Sequence, residues 1–189
     1  MIEKELIHML VNHKFLNSYP LVGKKILIIG TFNPDVPCNK AEFFYGRAQN
    51  HFWDLLPSMF GKESFKGNVQ KQKEFLETYD IELSDLILLV NLNEADICNY
   101  GDDKLKDVKE YNTDNILEIL KKGKTKEVYF TRKSFDKSVE NIKTEIYKIK
   151  DFCDKNSIKF RFLPTPARFA VSENKRQEWR ECFSSRPFL

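Results

Sequence analysis

Apolar positions along this chain follow two spacings. Four short runs are almost continuously apolar: KILIIG (25–30), DLILLVN (85–91), EVYFT (127–131) and KFRFLP (159–164). Ile, Val, Leu and Phe dominate them, and runs of this length predict buried strands. Elsewhere apolar residues recur at three and four. FWDLLPSMF (52–60), interrupted by Pro57, reads as a helix. VQKQKEFLETY (69–79) puts Phe75, Leu76 and Tyr79 on one face, and TDNILEILKKG (113–123) has a polar start and Gly123 as its C-cap. The stretch 134–155 spaces Phe135, Val139, Ile142, Ile146, Ile149 and Phe152 along one side. SENKRQEWRECF (172–183) starts at Ser172, a good N-cap, and buries Trp179 and Phe183.

Strands alternating with helices predict βαβ units and an α/β fold with three α/β/α layers around a central four-stranded parallel sheet. The one long irregular stretch is 91–112, a length that marks functional or mobile loops. Ligands of open α/β sheets bind beyond the carboxyl ends of the strands. That directs attention to 30–50, 91–100, 131–134 and 164–171.

Composition narrows the picture. A chain of 189 residues, 41% hydrophobic, fits a single domain over 1–189. No run approaches the 18 apolar residues of a membrane span, and MIEKELIHML lacks the apolar core of a signal peptide, so a cytoplasmic protein without membrane partners is expected. Cys38, Cys98, Cys153 and Cys182 contain no CxxC pair, so they read as four free thiols in a reducing compartment, with no metal site. Net charge is +3, yet the last 35 residues carry +5. A basic end on a near-neutral body is compatible with a phosphate-facing surface, or with a solvated amphipathic helix.

Candidate chemistry begins at KILIIGTFNPDVP (25–37). Nucleotidyltransferases open with a strand running into Gly-Thr-Phe-Asp-Pro, and then use His-x-Gly-His to stabilise phosphates. Here DVPCNKAEFF follows, with no histidine before His51. The match stops where that mechanism starts.

A second pattern runs further. Gly30, Asn33-Pro34, Phe44-Tyr45 and Asn50-His51-Phe52-Trp53 resemble the uracil-DNA glycosylase superfamily, nearest its mismatch-specific uracil/thymine and hypoxanthine branches. LPTPARFAVSENKRQEWRECF (163–183) resembles the family's second loop and the helix after it, and 79–99 its middle strand. The resemblance spans about residues 22–185. It implies a uracil-DNA glycosylase-like fold and a DNA glycosylase of base excision repair. Such an enzyme flips a deaminated base, uracil or hypoxanthine, out of the DNA and hydrolyses its N-glycosidic bond. DNA, duplex or single-stranded, is the implied partner, the chain is expected to be a monomer, and no cofactor is implied.

The resemblance also distributes roles. Asn33 would position the attacking water, with Asn50 as second choice for the catalytic amide. Tyr45 would stack on the flipped base, with Phe32 and Phe44 beside it. Thr165, Arg168 and Phe169 fall on the loop that enters the duplex, with Arg168 or Phe169 as the wedge. Arg47, Lys133 and Ser134 would contact phosphates. The family's glycine after Asn-Pro is Asp35 here. Asp35 reads either as a second water-activating carboxylate or as a charge that repels DNA. The latter, with the altered TPARFA loop, suggests the alternative of a non-catalytic nucleic-acid or nucleotide-binding module on the same fold.

Overall fold

A computed structural model describes residues 8–98, 101–167 and 170–183. Seven strands and five α-helices follow in order: β1 (His8–Asn12), β2 (Ile26–Gly30), α1 (Phe52–Ser58), α2 (Val69–Thr78), β3 (Ile81–Asp85), β4 (Ile87–Asn93), β5 (Asp107–Tyr111), α3 (Thr113–Lys121), β6 (Glu127–Phe130), α4 (Glu140–Lys155), β7 (Lys159–Phe162) and α5 (Glu173–Phe183). The central sheet is four-stranded and parallel, in the order β3-β2-β6-β7. Helices flank it on both faces, as the alternation of runs predicts.

The two faces of β2 separate the core. Leu27 and Ile29 join Val128 and Phe130, against Ile116 and Leu120 of α3 and Ile142, Ile146 and Ile149 of α4. Ile26 and Ile28 join Tyr129 on the other face, against Phe52 of α1, Phe75 of α2 and Trp179 and Phe183 of α5. A strand buried on both faces has no polar side to show, which is why KILIIG is continuously apolar. Ser172 caps α5 by accepting from the Lys175 amide, and Gly123 takes a left-handed φ of 76° just after α3.

The predicted strand over 85–91 needs correction. The strand that joins the parallel sheet here is β3, at its edge, whose sequence IELSD looks too polar for a core strand, although all five residues are buried. Glu82 is accommodated because its carboxylate accepts hydrogen bonds from the backbone amides of Val22, Gly23 and Lys24. The apolar run beyond it, β4, leaves the central sheet. It lies between β1 and β5 in a second, antiparallel sheet of order β1-β4-β5. So 91–112 is not irregular throughout: it holds the end of β4, two single-turn helices and β5.

The cysteine reading is also corrected. Cys38 and Cys98, sixty residues apart, form a disulfide with a Cα–Cα distance of 5.9 Å. Only Cys153 and Cys182 are free thiols. The fold brings the loop after β2 against the segment after β4, a proximity that spacing along the chain does not reveal. The reducing compartment inferred from four free thiols loses that support.

Candidate active site

The carboxyl ends of β2, β3 and β6 converge on Gly30, Asp85 and Thr131. Gly30 is needed here for close approach. A Cβ on it would overlap Asp85 Oδ1 and lie 2.7 Å from Tyr45 Oη. Polar side chains therefore meet over a glycine floor.

Asp85 is the centre of this cluster. Its Oδ2 accepts from Asn33 Nδ2 at 2.8 Å and lies 2.7 Å from His13 Nε2. All three residues are buried. His13 Nδ1 accepts from the backbone amides of Phe15 and Leu16 at 3.0 and 3.1 Å. A ring nitrogen that accepts twice carries no proton, so the proton sits on Nε2 and is donated to Asp85. The backbone sets this up: 12–14 runs antiparallel to 33–35, with Lys14 N–H donating to Asn33 O and Asp35 N–H to Asn12 O, each at 2.8 Å.

Asn33 is 5% exposed, and its Oδ1 has no hydrogen-bond partner. The amide orientation follows from its neighbour, since Oδ1 turned toward Asp85 would oppose two acceptors. A buried carbonyl oxygen without a donor is costly, about 1–3 kcal/mol. It marks a place where a ligand's N–H or a water's O–H fits.

Tyr45 closes the cluster from the α1 side. Its backbone takes a left-handed φ of 57°, uncommon for a bulky aromatic and sustained only by its surroundings. That turn lays the ring flat on Phe52, with centroids 3.8 Å apart and planes 10° from parallel. The phenol lies 3.2 Å from Thr131 Oγ1, which in turn reaches Ile29 O at 3.3 Å. Burial pushes the Tyr45 phenol well above its ordinary range, and the charge of Asp85 adds to this; the Thr131 bond offsets part and Asp102 adds a little more. The phenol thus stays a donor through the neutral pH range.

The rim is ionic. Asp102 Oδ2 accepts from Arg132 Nη1 at 2.5 Å and from Thr31 Oγ1 at 3.3 Å. It ties the segment before β5 to the ends of β2 and β6. On the other side, Asn50 and Ala167 form an antiparallel bridge, and His51 N–H donates to Pro166 O at 2.9 Å. The loop after β7 is thereby held against the start of α1, and Trp179 Nε1 fixes it from α5 by donating to Pro164 O.

The residues singled out in the sequence divide into groups. Asn33 and Tyr45 lie in the cluster. Phe32 and Phe44 border it, both packed against the His13 ring with centroids 5.7 and 5.8 Å away. Phe44 is fully buried among Phe15, Tyr19 and Phe43 as well. Asn50 is near the rim, and its Oδ1 is occupied by the Phe52 amide at 2.9 Å. Arg47 is half-buried one turn earlier, its carbonyl accepting from Asn50 N–H. Lys133 and Ser134 are exposed, Lys133 pairing with Glu178 of α5. Thr165 is exposed and accepts from Ala167 N–H. Arg168 and Phe169 lie outside the described residues. Asp35 is not brought into the cluster: it is exposed and lines an open groove with Lys14, Asn39 and Lys40.

Four ionisable residues of the cluster and rim escape the sequence reading: His13, Asp85, Arg132 and Asp102. Asp85 had a signal, since Ser-Asp breaks an apolar stretch where a strand ends, but starting the strand at 85 put it at the wrong end. His13 lies before every motif and had none.

No family model and no curated protein matches this chain. Among solved structures, it is similar to a Methanosarcina acetivorans protein provisionally assigned as a uracil DNA glycosylase, determined in solution by NMR. The TM-score is 0.57 at 19% identity, over 94% of this chain and 98% of that one. The chain thus has a uracil-DNA glycosylase-like fold, with the four-stranded parallel sheet flanked by helices.

Proposed function

We propose that this protein is a DNA glycosylase of base excision repair, hydrolysing the N-glycosidic bond of a flipped deaminated base, uracil or hypoxanthine. The observation that carries the reading is the unpartnered Oδ1 of Asn33, buried at the carboxyl end of the sheet beside a buried carboxylate. Such hydrolysis needs a water held under C1′, while positive charge grows on the sugar and negative charge on the leaving base. Asn33 Oδ1 accepts from the water or from a base N–H. Its amide is kept in register by Asp85. Tyr45, locked flat on Phe52, supplies the aromatic wall and a protonated hydroxyl for the base. Stacking of this kind is worth ~1–3 kcal/mol per base.

Phosphate contacts fall to the rim. Arg132, Lys133 and Arg47 stand beyond the strand ends, with Thr165 on the loop that α5 supports. Arg132, now paired with Asp102, is the rim cation best placed to exchange that ion pair for a phosphate contact.

A second reading keeps one observation of its own. The cluster is closed as it stands, with Tyr45 only 7% exposed, which suits a non-catalytic nucleic-acid-binding module. One assay separates the two. Labelled duplexes and single strands carrying one uracil or one hypoxanthine are incubated with the protein, then treated with alkali. Strand breaks at the modified base that vanish in Asn33→Ala support the glycosylase. Salt-sensitive binding without breaks supports the module.

A further inference from the structure

His13 and Asp85 form the most fully buried ionisable pair in the described structure, and the reading above gives neither a task in bond cleavage. We propose that Asp85 is the proton-accepting carboxylate of this site and that His13 is its positioning residue. This rests on the glycosylase reading and adds to it.

Asp85 Oδ2 takes two donors, His13 Nε2 and Asn33 Nδ2. Both hydrogen bonds of its side chain end on that oxygen. Oδ1 makes neither bond and lies over Gly30, where a Cβ would overlap it and stand 2.7 Å from the Tyr45 hydroxyl. A carboxylate held by one oxygen and open at the other is arranged to act rather than to brace. His13 is fixed in turn by the Phe15 and Leu16 amides and by Phe32 and Phe44 around its ring. The carboxylate therefore has one orientation, supplied by a segment that precedes every family-like motif.

The chemistry balances without another reactant. Water oxygen forms a bond to C1′ as the bond from C1′ to the base nitrogen breaks, and that electron pair leaves with the base. Asp85 Oδ1 takes the proton that water loses. Solvent protonates the departed base, and the proton on Asp85 returns to solvent. Before proton transfer, the same carboxylate faces the positive charge that develops on the sugar. The ionisable groups that face Asp85 are His13, from the turn after β1, and Tyr45, from the loop after β2; Asp102, from the segment before β5, acts on Tyr45 across the rim.

Asp85→Asn is a clean test, because its amide oxygen still accepts from His13 and Asn33 while the free oxygen becomes an NH2. Single-turnover cleavage of the base the wild type removes should fall by about 100-fold or more. Binding to a duplex carrying the 2′-fluorinated, uncleavable form of that nucleotide should stay within about threefold of wild type. His13→Ala should lower the single-turnover rate by about tenfold or more while binding to the uncleavable duplex stays within about threefold, and His13→Gln should recover most of the rate. Asp85→Asn cleaving within threefold of an active wild type would overturn the proposal and leave the glycosylase reading intact. A His13→Ala rate within threefold of wild type would overturn the positioning role, and decides the matter should Asp85→Asn fail to fold. A wild type that cleaves no substrate overturns the glycosylase reading and this proposal with it.

Discussion

His13 Nε2 lies 2.7 Å from Asp85 Oδ2, across 72 residues of chain. The contact joins the turn after β1 to the end of β3, and both side chains are almost fully buried. Removing one partner of such a pair leaves a buried charge without its donor. Here it would also strip two backbone amides, those of Phe15 and Leu16, of their acceptor. His13→Ala is expected to lower stability by about 3 kcal/mol in urea denaturation, with His13→Gln losing less. A His13→Ala variant as stable as wild type would show that the pair is not made in solution.

Gly30 gives an independent check on the same packing. In Gly30→Ala the new methyl group meets Asp85 Oδ1 and Tyr45 Oη, so one of them must move. A loss of about 1–3 kcal/mol is expected by denaturant unfolding, the usual scale for overpacking. Any glycosylase activity should fall with it, because the two displaced groups are those placed at the base. Full activity in Gly30→Ala would separate this strand end from the chemistry.

Tyr45 should reveal itself at high pH. Its phenol is raised well above 10.0 when folded, so the unfolded chain ionises first as pH climbs. Its contribution to stability is present below about pH 10 and declines as pH rises toward the folded value. Ultraviolet titration of the native protein should show tyrosines that ionise after the exposed ones, Tyr45 among them and Tyr111, which burial also raises. Tyr45→Phe should take one tyrosine out of that late step and lessen the alkaline loss of stability.

The thiols make a chemical prediction. With Cys38 and Cys98 joined, mass spectrometry of unreduced, unfolded protein should find two alkylatable cysteines, not four. In the folded protein burial pushes the Cys153 thiol up to about 12, so it should resist iodoacetamide at pH 8 while Cys182, half-buried, reacts first. Reduction opens a loop of 60 residues and should cost about 2–4 kcal/mol of stability. Four reactive thiols without reductant would contradict the pairing.

The fold is legible where one residue pattern has one structural outcome. Strands buried on both faces are continuously apolar, so β2 and β6 could be read directly, and α4 and α5 showed their buried stripes through spacing. Strand β3 resisted because its polar residues are neutralised by partners far off in sequence: Glu82 by amides at 22–24, and Asp85 by His13 and Asn33. The apolar run after it looked like the better core strand and belongs to the other sheet. The site was half legible for the same reason. Asn33 and Tyr45 sit in local motifs, whereas His13, Asp85 and Asp102 acquire their roles only from tertiary proximity. Asp35 shows the converse, a residue drawn in by its place in a motif and turned outward by the bridge between His13 and Pro34.

In the function proposed above, base excision belongs to the buried cluster over Gly30 and not to the exposed loop beside it. The direct measurement is single-turnover excision from uracil- and hypoxanthine-containing duplexes by wild type, Asn33→Ala and Asp35→Ala, with abasic sites counted after alkali. The cluster predicts cleavage by the wild type, a loss of about 100-fold in Asn33→Ala, and rates within threefold of wild type in Asp35→Ala. Cleavage that survives Asn33→Ala and disappears in Asp35→Ala would place the chemistry in the outer groove and contradict the account.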